Sequence, residues 1–251
     1  MKSKLIILGC GSSLGVPRID GFWGNCNKNN KKNNRSRCSA IITKGSNSIL
    51  IDTSPDIKRQ LLTNKITKVS SVIFTHEHAD QTNGLFELRP FYWKNKKKIN
   101  IYGDLRTINH LKKSQEYLFK KISTYPPIVM PNVINSSFSL GKLNEAVHFK
   151  AIKAKHGKTS SVIYIFEHTA YVSDCDDLSI VKIKELQNLK YLVLDCLRFK
   201  KHASHFNLKE SLYVHHCLNP KKTILTNLHY ELDYDVLLRK LPKNVLPAYD
   251  G

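Results

Sequence analysis

The stretch Thr75-His76-Glu77-His78-Ala79-Asp80-Gln81 directly follows the apolar run Ser71-Val72-Ile73-Phe74. An apolar run of strand length that ends in imidazoles and a carboxylate reads as a buried strand delivering side chains into a loop. On an extended backbone His76 and His78 share a face. In a tight loop their rings converge on one point, and Asp80 joins from the next position. Neutral imidazole suits zinc, iron, manganese and nickel, and a carboxylate adds charge compensation and affinity for harder cations. One surface histidine would carry no such message. His-x-His-x-Asp after a buried strand points to a metal.

Working outward, the 251 residues suffice for one large α/β domain with a substantial core. No Pro/Ser/Gly-rich linker divides them, so residues 1–251 read as a single domain. The six cysteines (10, 26, 38, 175, 196 and 217) form no Cys-x-x-Cys pair. With no signal-peptide pattern and no apolar run of about 18 residues, a reduced, cytoplasmic protein with no membrane association is expected. The net charge of +20 attracts anions, and phosphate esters or nucleic acid suit that field. The Asn/Lys tract at 27–34 shows that the same charge can reflect composition.

Lys4 to Leu8 reads as a strand entering a Gly/Ser turn, Gly9-Cys10-Gly11-Ser12-Ser13-Leu14-Gly15-Val16-Pro17, whose N–H groups can face an anion or simply connect strands. Residues 20–37 are polar and without periodicity, which predicts a long loop, mobile or substrate-facing. Two strands are expected at Ser39–Thr43 and Ser48–Thr53, then a helix from Pro55 to Leu62. Residues 91–98 interleave aromatics with cations and can stack a base or form a charged surface turn. A strand at Ile99–Gly103 precedes an amphipathic helix from Leu105 to about Ile122, and the segment from there to Val147 reads as irregular. Val147 to Ala154 alternates like a strand and arrives at His156. A hairpin follows around Glu167-His168 and ends at Asp174. The run Tyr191-Leu192-Val193-Leu194-Asp195-Cys196 is a buried strand leading to His202, His205 and a helix over Leu208–Cys217. Thr223 to His229 reads as a further strand, before a helix at Tyr234–Lys240.

The metal loop resembles the H-x-H-x-D-H signature of metallo-β-lactamase-fold hydrolases, with Gln81 where that family has histidine. Residues 9–17 are similar to the opening of its phosphodiesterase branch, which includes phosphoribosyl cyclic phosphate phosphodiesterase. His205-Phe206-Asn207 before a helix resembles the His-x-Thr element of ribonuclease Z, a more distant relative. The resemblance implies a four-layer αβ/βα sandwich, where periodicity alone gives mixed α/β.

It also implies roles. His76, His78 and His156 would bind a first metal, with Asp174 shared. Asp80 and Asp174, joined by His229 or Gln81, would bind a second. Asn227 stands where the family has histidine after threonine, and an amide oxygen is a weaker zinc ligand than an imidazole. Asp52 would brace the metal loop from outside. Asp80 would orient the attacking water, and His205 would protonate or stabilise the leaving oxygen. The cofactor expected is zinc or manganese, one or two divalent ions per chain. The structural zinc that some relatives hold with closely spaced cysteines is not expected, since only Cys26 and then Cys38 stand in that region.

The activity implied is that of a phosphodiesterase cleaving a small anionic phosphodiester, cyclic ones included, with metal-activated water. A ribonuclease Z-like nuclease is the alternative, although no long inserted arm for clamping transfer RNA is visible. A thioester or lactam hydrolase would use the same metals, but the opening and the His205 element speak against it. A non-catalytic nucleic-acid-binding protein would instead show salt-dependent binding that survives metal removal. Relatives often dimerise, so a homodimer is compatible with the reading.

Overall fold

The computed structural model describes every residue from Met1 to Gly251. Two compact units share the chain: residues 1–8, 39–149 and 251 in the first, and residues 9–38 and 150–250 in the second. The first is built on a six-stranded sheet in sequential order, β1 (Lys4–Gly9), β2 (Ser39–Lys44), β3 (Asn47–Ile51), β4 (Ser71–Ile73), β5 (Ile99–Gly103) and β6 (Val129–Val133). β2 and β3 form an antiparallel hairpin, and β3 through β6 run parallel, with Ile51 beside Ile73 and Ile73 beside Tyr102. Ile49-Leu50-Ile51 and Val72-Ile73-Phe74 are buried without alternation, the pattern of parallel strands covered on both faces.

Four helices accompany this sheet: α1 (Ile57–Thr63), α2 (Ala79–Thr82), α3 (Arg89–Asn95) and α4 (Leu105–Ser114). The side chain of Asp104 caps α4 by accepting from the Thr107 N–H at 2.8 Å. Thr107, Ile108 and Leu111 form its buried stripe. Ile108 and Leu111 pack into a core with Leu50, Val72, Phe74 and Ile101.

The second unit carries most of a seven-stranded sheet. Its strands are β7 (Ser137–Leu140), β8 (Val147–His156), β9 (Thr159–Phe166), β10 (Thr169–Val172), β11 (Tyr191–Asp195), β12 (Lys222–Thr226) and β13 (Val245–Pro247), again in sequential order. β7 and the first residues of β8 count with the first unit. β8, β9 and β10 are antiparallel, whereas β10 to β13 run parallel. Asn207 and Glu210 close a reciprocal capping box at the start of α5 (Leu208–Leu218). Asp233 caps α6 (Tyr234–Lys240).

Three expectations change. Residues 20–37 are not a loose loop: Asn33 and Arg35 are buried. Arg35 donates to the Leu232 carbonyl at 2.7 Å and to Asn33 at 3.1 Å, so a guanidinium with five fixed donors serves as the pin. α4 stops at Ser114, whose hydroxyl donates back to the His110 carbonyl, and Gln115 leaves the helix to reach the Thr82 carbonyl. The segment before Val147 holds β6 and β7. β6 escapes a pattern reading because it is an edge strand, Val-Met-Pro-Asn-Val, where proline costs no ladder bond. No helix is long and apolar enough to cross a membrane.

Candidate metal centre

In the first unit the metal loop leaves β4 and is tied down on both sides. Asp52 follows β3 with φ +62°, a left-handed conformation that Asp tolerates better than most residues. Its carboxylate accepts from the Thr75 N–H and the Thr75 hydroxyl, both at 2.8 Å. The expected bracing role of Asp52 therefore has a direct geometric basis. Because the Thr75 hydroxyl proton goes to Asp52, its oxygen accepts from His76 Nδ1 at 3.0 Å. That relay leaves His76 Nε2 as the basic nitrogen, 2.9 Å from His78 Nδ1. His76 is fully buried and His78 exposed, so the two rings meet at the edge of solvent.

Beyond the loop, α2 is stitched back onto the end of β3. Thr53 N donates to the Gln81 carbonyl and Gly84 N to the Thr53 carbonyl. A Cβ on Gly84 would fall 2.0 Å from the Ser54 carbonyl oxygen, so only glycine allows this approach. Asp80 stands half-exposed on α2 and accepts from the Gln81 amide at 3.2 Å. Glu77 turns away from its neighbours to pair with Arg106 at 2.7 Å.

The second unit gathers its donors from separate strand ends. His156 closes β8, Asp174 follows β10 with φ +54°, and His205 lies in the loop before α5. One donor atom from each of the three lies within 4.8 Å of the others. His156 Nε2 and His205 Nε2 each stand 3.9 Å from Asp174 Oδ1. Their other nitrogens are committed: His156 Nδ1 meets the Ser204 carbonyl at 2.7 Å, and His205 Nδ1 meets Asp195 Oδ2 at 2.9 Å. Asp195 is fully buried and also accepts from the Cys175 N–H at 3.0 Å. Burial raises its pKa, and His205 opposes that rise.

The donor set fits a divalent cation. Two imidazoles and a carboxylate suit zinc or manganese, and their outer nitrogens are held by a carbonyl and a carboxylate, as ligating histidines are. Bonds of about 2.0–2.2 Å place two donors at most about 4.4 Å apart, so the 3.9 Å separations need only small rotations.

His229, expected as one candidate to complete a second metal site, does not join this cluster, and Asn227, which stands where the family has histidine, is engaged elsewhere. Asn227, at φ +60° after β12, offers its amide oxygen to the Cys38 thiol. His229 stacks on Tyr230 at 3.6 Å between ring centroids, with Nδ1 3.7 Å from Glu231. Burial lowers its pKa, against the opposing pull of Glu231. The sequence reading also missed partners. In the sequence Asp195 reads only as the end of a strand, and Cys38 only as one of two cysteines too widely spaced for a structural zinc. A carboxylate ending a buried β-run is the signal that marks Asp195; nothing local marks Cys38.

Residues 47–230 match the model of the β-lactamase superfamily domain. The chain belongs to that family. Its fold is similar to the crystal structure of a diphosphatase of the PhnP family, with a TM-score of 0.89, 29% identity and coverage of 100% of this chain and 96% of that one. Zinc-bound PqqB from Methylobacterium extorquens shares the fold at a TM-score of 0.77 and 13% identity, covering 100% of this chain and 98% of that one. The human short-form tRNase Z shares it at 0.69 and 15%, covering 99% and 97%. The expected α/β metallo-β-lactamase fold is thus borne out, and with it the kinship to its hydrolases. A curated protein of Porphyromonas gingivalis (strain ATCC BAA-308 / W83), named octanoyltransferase, is 26% identical over 251 residues, 99% of this chain. The chain spans about half the length of that relative.

Proposed function

We propose that the protein is a metal-dependent phosphodiesterase acting on a small anionic phosphodiester. The observation that carries this reading is the 2.9 Å convergence of His76 Nε2 on His78 Nδ1, held from behind by the Thr75–Asp52 relay. His78 Nδ1 donates to the basic His76 Nε2, which holds the two rings at one point where a cation would replace the shared hydrogen. The likeness to a PhnP-family diphosphatase over the whole chain supports phosphate ester chemistry.

His76 and His78 in the first unit, and His156 and Asp174 in the second, are the residues that the family resemblance assigns to cation binding. When bound, a divalent cation lowers the pKa of water toward neutrality and offsets charge on phosphoryl oxygens. The chain's own part is to orient and exclude. Asp80 would orient the attacking water, and the Gln81 amide, donating to its Oδ2, steadies its carboxylate. The net charge of +20 draws the anionic substrate in.

The test pairs metal content of the purified chain with hydrolysis of bis-p-nitrophenyl phosphate under added manganese or zinc. Bound ion with turnover upholds the reading. No metal under any loading overturns it, and metal without turnover on phosphodiesters overturns the substrate class.

A further inference from the structure

We propose that the first unit carries a separate anion site, a cavity at the opposite end of its sheet from the metal loop, and that it takes a small molecule bearing a diphosphate group. The proposal does not depend on the metal-dependent reading above.

The cavity has a volume of about 510 Å³, inside the range of roughly 300–1,000 Å³ that small-molecule sites occupy. Its floor lies where the parallel strands begin. Ser71 opens β4 and sits in register with Asn100 of β5, and Tyr102 follows two residues along the same face. Ser71 and Asn100 thus interrupt the apolar pattern of this sheet at one spot, beside the cavity. The metal loop leaves the other end of β4. From Ser71 to Thr75 the extended chain spans about 13 Å, so the two sites are distinct.

The electrostatics point to an anion. Lys68 precedes β4, Lys97 lies between α3 and β5, and Lys142 follows β7, so three separate turns bring a cation to one cavity. The one acid in the lining, Glu145, is already engaged. It accepts from the Ser46 N–H at 3.0 Å and from the Ser46 hydroxyl at 2.6 Å, and Lys68 pulls on it. Three ammonium groups against one carboxylate leave an excess of positive charge that a multiply charged anion neutralises. An ammonium meets phosphate as a point charge with three donors. The Ser70 oxygen accepts from the Ser48 N–H at 3.2 Å, which leaves its hydroxyl hydrogen to give. Such a donor-rich lining suits phosphoryl oxygens. Tyr102, stacked on Phe138 at 6.0 Å between centroids and 10° between planes, supplies a fixed wall for the organic part of the ligand.

The cavity is also preformed. Buried Asn47 gives its amide hydrogens to the Leu140 and Glu145 carbonyls, at 3.0 and 3.3 Å, which pins the turn carrying Lys142. Gly141 holds φ +102° in that turn, and a Cβ there would fall 2.4 Å from the Asn47 amide nitrogen.

The test titrates the full chain with inorganic pyrophosphate by calorimetry, with manganese added and again after chelation, which separates this cavity from the metal centre. Binding of one pyrophosphate per chain is expected to persist after chelation. Lys68→Ala with Lys97→Ala and Lys142→Ala should weaken it by about 10-fold or more. All three lysines are exposed, so the fold is kept. Lys182→Ala with Lys184→Ala and Lys221→Ala removes the same charge from exposed positions of the second unit and should change the affinity by less than about 2-fold. Phosphodiester turnover unchanged in the first triple variant, with pyrophosphate binding lost, upholds a site apart from the metal centre. Equal weakening in both triple variants would reduce the effect to net charge and overturn the proposal. Pyrophosphate binding that vanishes with the metal overturns it as well. A short oligothymidylate that displaces pyrophosphate and binds more tightly would assign the cavity to a nucleic-acid backbone and overturn the small-molecule ligand.

Discussion

The two units deliver chemistry to the ends of their strands in opposite ways. The first concentrates its donors in one loop, Thr75 to Asp80, braced by a single carboxylate from the neighbouring parallel strand. The second draws them from the ends of β8 and β10 and the loop before α5, spread from His156 to His205. Both rely on an aspartate in the left-handed region just past a strand, Asp52 in one and Asp174 in the other. In the first unit that aspartate holds the histidine loop from behind; in the second its carboxylate lies 3.9 Å from the Nε2 atoms of His156 and His205. One backbone device, a strand ended by a left-handed turn at an acidic residue, thus serves both a supporting and a direct role. A contiguous loop can be braced by one residue, whereas scattered donors each need their own: Ser204 for His156, Asp195 for His205 and Ser161 for Asp174.

The largest effect should come from emptying the contiguous loop. His76→Ala with His78→Ala is expected to lower phosphodiester turnover by about 1000-fold or more, since the Lewis acid supplies several kcal/mol. Circular dichroism should stay close to wild type, while the urea midpoint falls, because His76 is fully buried and bonded to Thr75. Activity surviving in the double variant would break the assignment of the first unit as a metal-binding half.

Next is the brace itself. Asp52→Ala leaves the Thr75 N–H and hydroxyl without their acceptor in a fully buried position. Losing two hydrogen bonds to a charged group should cost about 3 kcal/mol. Urea unfolding followed by tryptophan fluorescence measures it, and a loss below about 1 kcal/mol would show that the loop is held by something other than Asp52.

The same contrast explains what could be read from the chain. His76, His78 and Asp80 were legible because spacing along the chain and proximity coincide within one heptapeptide. The parallel strands were legible because burial on both faces leaves uninterrupted runs such as Ile49–Ile51 and Leu192–Leu194. Asp195 was not, because its partner His205 is ten positions away and reached through a loop without periodicity. The Cys38–Asn227 contact spans 189 positions, and only the fold creates it. The anchoring of residues 20–37 was missed for a related reason. Their buried Asn33 and Arg35 find partners around positions 229–233, so a polar sequence that reads as solvated is satisfied internally.

An intermediate effect concerns the two amides that stand where the family has imidazoles. Gln81→His with Asn227→His is expected to raise bound zinc from one to two ions per chain, measured by elemental analysis after dialysis. Asn227→His alone should cost a little stability through the lost Cys38 contact and gain no ion. A second ion already present in the wild-type chain would show that Asp80 and Gln81 suffice to hold it.

The smallest effect separates the units by acid. Asp233 accepts from the Asn27 N–H, the Val236 N–H and the Asn33 amide, joining the 20–37 segment to the start of α6. Burial alone would raise its pKa, but these donors outweigh burial and hold the carboxyl below the ordinary carboxylate range. A depressed folded-state pKa means that the unfolded chain binds the proton more tightly. The contribution is therefore complete above the unfolded pKa of about 4 and is lost as pH falls through the lower folded value. Asp233→Asn should cost about 1 kcal/mol at pH 7, as expected for a weakened helix cap. The gap from wild type should close as the buffer approaches pH 3, because the wild-type chain loses the same charge. Urea midpoints across that range decide it. A gap that stays constant with pH would mean that Asp233 holds the segment by shape alone, and that the second unit's long loop is pinned chiefly by Arg35.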